Sequence, residues 1–239
     1  MSIATLSFPP LLSGAQVTGN AYAHALGRAA AGCDAGLIVY ALTANQIEAA
    51  IVFAPEVPLS QAIAMLPVCQ VGLQNALGAL APPEVAVQFD WSGTIRINGG
   101  ACGGFRAQAA TDDVDTVPDW LVVGFTLPLY PADDPQMTRM GDQPDETALY
   151  AEGCVEVAPP ELVEGWARHS LHWINEWDSS GPKGLHDHWR GLVHGIDAPV
   201  THQNLAGTFL GLDEDFGMLL RDDTTTHLIP LTSVLEPAP

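Results

Sequence analysis

The chain has 239 residues, of which 47% are apolar and only 15% charged, so it can bury a sizeable core in one domain with a small appendage. Its 28 acidic residues far outnumber the eight basic ones, Lys183 is the single lysine, and the formal net charge is −20. This balance argues against nucleic acid and anionic membrane surfaces as partners, because both are bound through clusters of Lys and Arg.

The sequence shows neither a secretion signal nor a run of about 18 apolar residues that would predict a membrane span. Its four widely spaced cysteines form no C-x-x-C pair, which argues against a zinc ribbon: Cys33, Cys69, Cys102 and Cys154. In a chain of this length such cysteines are expected to be reduced. We therefore expect a cytoplasmic protein.

The first part of the chain predicts an arm, a helix and two strands. Residues 1–14 are Pro-rich and typical of an extended arm, whereas residues 20–31 are Ala-rich and predict a helix. Two apolar runs, residues 36–40 and 47–53, predict buried strands. The link between them, residues 43–46, is only four residues long.

The middle of the chain predicts a long interrupted helix and then a hairpin. Pro58 suits the first turn of a helix that runs to about Leu80, and Pro67 is expected to kink or split it. An Asn-Gly-Gly sequence at residues 98–100 is a strong signal for a tight β-turn. Strands are predicted at residues 85–89, 94–97, 102–108 and 120–126, followed by a long surface loop at 130–148.

The last part of the chain predicts two helices and a small β-unit. The helix at residues 160–177 carries a stripe of side chains at helical spacing: Leu162, Trp166, His169, Trp173 and Trp177. A shorter helix is predicted at residues 185–193. After Ile196 the pattern changes to short strands separated by acidic turns, which indicates a small closed β-unit of some 40 residues, with strands at 205–212, 216–221 and 227–231.

The order of these elements resembles that of the biotin and lipoate protein ligase family, in its short form without a DNA-binding domain. Three short stretches of the sequence also match motifs of that family. The most extensive match is the tail, in which a helix ending at Trp189-Arg190 leads into Ala198-Pro199-Val200 and the β-unit. The resemblance implies an α+β fold. It places a ligase-like mixed sheet with helices in residues 1–195 and a C-terminal Src-homology-3-like small β-barrel in residues 196–239.

The same resemblance implies a set of ligand-binding residues. Trp91 matches the Trp of a Lys-Trp-Pro-Asn-Asp motif, and Thr18-Gly19-Asn20 matches a Ser-Thr-Asn motif that contacts the biotin headgroup. Gly103-Gly104 matches the small residues that close the following hairpin. Arg96 of the predicted hairpin is added as a further candidate, and so are Gly124 and Thr126, which match the family's Gly-x-Asn motif. The full set of candidates is Thr18, Gly19, Asn20, Trp91, Arg96, Gly103, Gly104, Gly124 and Thr126.

Four departures from the family pattern predict a degenerate active site. Ala101 stands at the position of the catalytic lysine, and Thr43-Ala44-Asn45-Gln46 stands at that of a Gly-Arg-rich loop. Gly93-Thr94 replaces Asn-Asp, and Thr126 replaces the Asn of Gly-x-Asn. Acyl-adenylate formation brings a carboxylate to the α-phosphate of ATP, so it needs fixed positive charge. The sequence lacks nearly every side chain that supplies it.

Several candidates also have a structural interpretation. Gly103-Gly104 is also typical of a bulge or a tight bend, although the family match favours a ligand wall, and Trp91 is also typical of core packing. Arg96 can hold a carboxylate by bidentate contact, but at least one of Arg96 and Arg106 is expected to face solvent. Cys102, beside the lost lysine, can be an acyl-transfer nucleophile or a buried, inert thiol.

Two histidines have spacing that can chelate a metal. His169 and His172 lie three residues apart on a predicted helix, and Glu176 lies four residues further on. His169 also belongs to the apolar stripe, where packing is the usual role, so no metal site is predicted.

Four functions remain open at this point. The first is a binding protein that takes a vitamin-like or acyl ligand, or a biotinyl or lipoyl carrier domain, with no cofactor and no adenylation. The second is a divergent ligase that uses biotin or lipoate with ATP and Mg. The third is an acyltransferase that works through Cys102. The fourth is a structural role in a complex, for which the family's edge-strand pairing suggests a homodimer.

Overall fold

A seven-stranded sheet forms the centre of the computed structural model, which describes residues 6–131 and 145–238. Its strands are β1 (Ser13–Gln16), β2 (Leu37–Leu42), β3 (Gln46–Phe53), β4 (Val87–Phe89), β5 (Thr94–Ile97), β6 (Gly100–Ala109) and β7 (Leu121–Pro128). Their order is β1-β2-β3-β7-β6-β5-β4, with β1 parallel to β2 and every other pair antiparallel. The start of the predicted arm and most of the predicted 130–148 loop lie outside the described residues.

Helices cover both faces of this sheet. They are α1 (Ala21–Ala30), α2 (Leu59–Ala62), α3 (Met65–Leu80), α4 (Pro159–Ser180) and α5 (Lys183–Arg190). Alone on one face, α1 packs against β2, β3 and β7 around a small core rich in Ala and Val. On the other face α3 and α4 pack together and α5 packs against both, so the large hydrophobic core lies on that side.

The predicted helix from Pro58 to Leu80 is indeed split, but at Ile63 and Ala64 rather than at Pro67. Pro67 lies in the first turn of α3, where its missing N–H leaves no helical hydrogen bond unmade. By length and composition alone, residues 59–80 could cross a membrane, with a mean hydropathy of 1.4. In the fold 72% of that window is buried, as in a core helix.

The tryptophan stripe of α4 packs into the core as its spacing predicts. Trp166 is fully buried and its indole N–H donates to the carbonyl of Cys69 at 3.0 Å. Trp173 is half-buried and donates to Oδ1 of Asn75 at 2.8 Å. Because each buried indole nitrogen has an acceptor on α3, both rings fix the way in which α3 and α4 pack.

A separate antiparallel sheet forms the C-terminal part of the chain, as predicted. It consists of β8 (Pro199–His202), β9 (Leu205–Leu212), β10 (Met218–Arg221) and β11 (Thr226–Ile229), in the order β11-β10-β9-β8. The mixed sheet with helices and the small C-terminal β-unit confirm the α+β fold class. The predicted division between residues 195 and 196 falls just ahead of β8. A short 3-10 helix, Leu231–Val234, then leads the chain back to α2.

Trp91 joins the two sheets. Its side chain is only 4% exposed, and its indole N–H donates to the carbonyl of Phe216 at 2.8 Å. The ring of His202 meets it edge-on at 5.2 Å, and the ring of Phe216 packs against Trp189 at 5.7 Å. Trp91 therefore packs between the domains, in agreement with the core-packing interpretation, and its role as a ligand-binding residue stays a prediction.

We predict that Trp91→Phe destabilises the protein by about 1–3 kcal/mol, since the buried carbonyl of Phe216 loses the hydrogen bond that the indole N–H donates to it. The measurement is equilibrium unfolding in urea. Trp177→Phe is the matched control, because Trp177 is half-buried at the rim of the same core. Equal stability of the two variants would contradict the interdomain role of Trp91.

Candidate functional site

Part of the sheet next to the N-terminus of α1 is left uncovered by helices. Across four neighbouring strands, Glu48 lies opposite Thr126, Thr126 opposite Gly104, and Gly104 opposite Thr94. All four are half-buried. We call this row the cleft; it contains two positions, Gly104 and Thr126, that the sequence assigned to ligand binding.

The N-terminus of α1 is already occupied by side chains of the chain itself. Asn20 caps the helix by accepting from the N–H of Ala23 at 2.8 Å, while the preceding Thr18 and Gly19 are exposed. Glu48 accepts from the N–H of Ala21 at 2.8 Å through Oε2. A helix N-terminus attracts anions, so Glu48 holds the place that an anionic ligand would take.

Arg96 lies directly opposite Ala101, the position of the family's lysine, but its charge is neutralised. Its Nε and Nη2 donate to the two carboxylate oxygens of Asp90 at 2.6 and 2.9 Å, and its Nη1 donates to the carbonyl of Gly99 at 2.8 Å. The bond to Asp90 raises the pKa of Arg96 above its ordinary value. The predicted bidentate partner of Arg96 is thus a carboxylate of the chain.

Arg106 lies on the same open face and is also paired. Its Nε donates to Oε1 of Glu236 at 2.6 Å, and its guanidinium lies 4.5 Å from the ring centre of Tyr22. Tyr22 in turn packs on Gly124, where an added Cβ would lie 2.9 Å from Cδ2 of Tyr22. The bare backbone of Gly124 therefore accommodates an internal side chain, which is the contact that the structure shows for this predicted ligand-binding residue.

The Gly103-Gly104 pair has a backbone explanation. Gly103 has a φ of +78° and is exposed, and an added Cβ would lie 2.0 Å from the carbonyl oxygen of Thr126. The pairing of β5 with β6 is irregular at this point, as in a bulge. These constraints require glycine at 103 whether or not a ligand binds, so the ligand-wall role of the pair stays a prediction.

The position of the Gly-Arg-rich loop is a tight turn without charge. Oγ1 of Thr43 accepts from the backbone N–H of Asn45 at 3.3 Å and of Gln46 at 3.0 Å, which closes the turn on itself. Ala101 pairs through its backbone with residues 145–147, which brings Asp145 and Glu146 alongside it. Both positions that supply cations in the family are therefore neutral or acidic here.

No other described cation serves the cleft. Arg28 is exposed in the last turn of α1, at the end of the helix away from the cleft. Arg168 lies on α4, and Lys183 and Arg190 lie on α5; both helices are on the opposite side of the sheet. Arg221 is exposed on β10 of the small C-terminal sheet. Arg139 lies outside the described residues.

Cys102 is buried beneath the lysine position. Burial, with a smaller effect from Glu152, raises the pKa of its thiol to about 12. Its Sγ lies 3.8 Å from the carbonyl of Pro128. Because a nucleophilic cysteine needs a lowered pKa, this environment opposes acyl transfer through Cys102.

The histidine pair on α4 is not joined by further ligands. His169 is half-buried, and burial together with the neighbouring Arg168 and His172 lowers its pKa. Among residues 6–131 and 145–238, no group of three His, Cys, Asp or Glu side chains is arranged to hold a metal ion.

Two surface cavities flank α1 rather than the cleft. One, of about 320 Å³, lies on the outer face of the helix beside His24 and Arg28. The other, of about 300 Å³, lies beyond its C-terminus and is lined by Cys33 and Trp120 among others. Neither is lined by the predicted ligand-binding residues.

Comparison with known proteins agrees with this architecture. Residues 8–191 match the Biotin/lipoate A/B protein ligase family, so the chain belongs to that family, and residues 198–237 match the Domain of unknown function (DUF4444). A search of curated proteins gives no significant match.

Solved structures include a relative of similar length. A biotin protein ligase-like protein of unknown function from Silicibacter sp. TM1040 is 59% identical, with a TM-score of 0.91, covering 97% of this chain and 100% of that one. Biotin protein ligase from Aquifex aeolicus is 13% identical, with a TM-score of 0.71 and coverage of 93% and 96%. The enzyme from Leishmania major in complex with biotinyl-5-AMP is 18% identical, with a TM-score of 0.55 and coverage of 92% and 99%.

Sequence reasoning missed Tyr22, Glu48 and Glu236. Glu48 had a signal, because a single acidic residue inside the apolar strand β3 needs a specific partner. Tyr22 and Glu236 had none: one is an ordinary helix residue, and the other lies in a Pro-rich tail some 130 residues from Arg106.

Native protein at pH 8 should resist alkylation at Cys102, since a thiol with a pKa of about 12 is ionised in roughly one molecule in 10⁴. Iodoacetamide labelling followed by peptide mass mapping is the measurement. Cys33, which is half-buried, is the internal control and should be labelled first, and Cys102 only after unfolding in urea. Native Cys102 reacting faster than Cys33 would restore the acyl-transfer hypothesis.

Proposed function

We propose that this chain is a binding protein built on the ligase fold, which holds a small vitamin-like or acyl ligand, or the carrier domain that bears it, without forming an adenylate. One observation supports this proposal above the others. Both arginines on the open face are paired with carboxylates of the chain, and Glu48 holds the N-terminus of α1.

The charges around the cleft oppose adenylation. Two guanidinium groups face three carboxylates there, those of Asp90, Glu236 and Glu48. Two like unit charges 6 Å apart repel by about 3 kcal/mol at the effective dielectric of a protein surface. An acid and a triphosphate would both have to enter against such repulsion, and the residues of the cleft therefore do not fit ATP.

The ligand that fits the cleft beside Glu48 is uncharged. An amide-linked vitamin or acyl group carries no carboxylate, so it meets neither Glu48 nor Glu236 as a like charge. A carrier domain presents its group in this amide-linked form, and a net charge of −20 favours partners with basic surfaces. The proposal places the protein in the cytoplasm, with neither nucleic acid nor membrane as a partner.

A divergent ligase is the second candidate, because membership of the ligase family and the TM-score of 0.71 to an Aquifex aeolicus biotin protein ligase favour it. Such an enzyme would have to recruit positive charge from outside residues 6–131 and 145–238.

We expect no ATP–pyrophosphate exchange above background with biotin, lipoate or hexanoate, since the cleft offers no unpaired cation among its described residues. The Aquifex aeolicus enzyme, assayed with biotin, is the positive control. Ala101→Lys should remain inactive as well, because one ammonium group does not replace the missing loop. Robust exchange by the wild-type protein would establish the ligase function instead.

Calorimetry should show that biotinamide binds at least as tightly as biotin, because Glu48 repels only the acid. Glu48→Gln should improve biotin affinity roughly 10-fold, about 1.4 kcal/mol, and leave biotinamide unchanged. Glu214→Gln removes the same charge from an exposed turn of the small domain and serves as the control. Heat changes absent for the amides of biotin, lipoate and hexanoate alike would defeat the small-molecule form of the proposal.

A further inference from the structure

The C-terminal tail returns from the small domain to the edge of β6. Strand β5 pairs with β6 only as far as Gly104, which leaves the next part of that edge open. There the N–H of Glu236 donates to the carbonyl of Ala107 at 2.9 Å, and Glu236 forms a parallel bridge with Gln108. The N–H of Ala238 then donates to Oδ1 of Asp112 at 2.9 Å. The tail thus fills a free strand edge beside the cleft.

This attachment delivers a carboxylate to the open face. Oε1 of Glu236 accepts from Nε of Arg106 at 2.6 Å, and the guanidinium lies over the ring of Tyr22. The interaction with Glu236 is therefore of the kind that a planar guanidinium makes with any small carboxylate. Glu236 has the position of a ligand, although it belongs to the chain.

A second polar group, the hydroxyl of Tyr22, lies beside the same carboxylate. The side chain of Tyr22 is 6% exposed, and among the described residues its hydroxyl makes no hydrogen bond of full geometry, although it interacts with the carboxylate of Glu236. Burial, followed by the charge of Glu236, raises the pKa of Tyr22, so the hydroxyl stays protonated and can donate. Buried hydroxyl groups normally have partners, so a carboxylate in the position of Glu236 completes the surroundings of both Tyr22 and Arg106.

We propose that the guanidinium of Arg106 and the hydroxyl of Tyr22 form a carboxylate subsite, in which Glu236 is the resident occupant and which a small monocarboxylate enters by displacing the tail. The inference goes beyond the proposed function, because the subsite would bind a carboxylate whether or not any ligand is held in the cleft.

The contacts of the tail allow such displacement. The side chains of Arg106 and Glu236 are 50% and 33% exposed, and ion pairs this open to water contribute little to stability. The remaining anchors of residues 236–238 are hydrogen bonds at the surface: the N–H of Glu236 to Ala107, the side-chain amide of Gln108 to the carbonyl of Pro237, and the N–H of Ala238 to Asp112. An external acid therefore competes with Glu236 without unfolding either domain, whereas a neutral analogue has no group to exchange for it.

Glu236→Ala tests the subsite with hexanoate as the probe and hexanamide as its neutral analogue. Calorimetry should show hexanoate binding at least 10-fold more tightly to the variant than to the wild type, and the affinity for hexanamide should not change. Adding Arg106→Gln should abolish the gain. Glu214→Ala makes the same change in net charge at an exposed turn and should leave the affinity for hexanoate as in the wild type.

A second measurement uses the unaltered protein. Saturating hexanoate should speed hydrogen exchange at the amides of Glu236 and Ala238, because displacement breaks their bonds to Ala107 and Asp112. Hexanamide at the same concentration should have no effect. If Glu236→Ala lowers the unfolding temperature, the exchange rates of the wild-type protein alone test the subsite.

Equal hexanoate affinity in the wild type and Glu236→Ala, with unchanged exchange at the tail amides, would overturn the subsite. The failure of the proposed function has a different signature, which is pyrophosphate exchange or the absence of binding by every amide. Each idea can therefore fail without the other.

Discussion

The close contact of α1 with the sheet at Gly124 is the constraint on which the open face depends. Only a residue without a side chain lets Tyr22 pack so closely against Ala50 and the backbone of β3. That contact sets the position of the helix, and with it the height of the helix N-terminus above Glu48. The ring of Tyr22 also supports the guanidinium of Arg106. One glycine thus brings together three side chains that decide the electrostatic character of the site.

The proposed lack of adenylation rests more on the pairing of charges within the chain than on the loss of any single residue. A missing lysine at Ala101 could be replaced by a neighbouring arginine, and Arg96 lies directly opposite it. The guanidinium of Arg96 is held by Asp90 and Gly99, however, and that of Arg106 by Glu236. The two described arginines near the cleft are thus both bound to acceptors of the chain itself, and a role in adenylation would require them to leave these partners.

The small C-terminal domain contributes to the site through two connections. Trp91 fixes the domain to the end of the sheet through the carbonyl of Phe216, and the tail beyond Leu235 crosses back to β6. A carboxylate from the last residues of the chain therefore reaches a strand in the middle of the sheet. The relative from Silicibacter sp. TM1040 matches this chain over both domains, which shows that the two-domain arrangement is not confined to this protein.

The sequence by itself determined the local elements and the family. Apolar runs predicted β2 and β3, Asn-Gly predicted the turn between β5 and β6, and the spacing of tryptophans predicted the buried face of α4, because these signals depend on neighbouring residues only. The sequence predicted that the helix after Pro58 is kinked or split at Pro67. The structure splits it at Ile63 and Ala64 instead, because proline is tolerated in a first helical turn.

Only the tertiary structure decided what the site contains. The pairs Arg106–Glu236 and Trp91–Phe216 join residues more than 100 positions apart, and no local pattern encodes such contacts. The surroundings of Gly124 were likewise decided by the fold. The family motif assigned Gly124 to ligand contact, whereas in the structure it makes room for the ring of Tyr22. Local sequence specifies which residues carry charge, but whether a charge remains available to a ligand depends on the partners that folding brings to it.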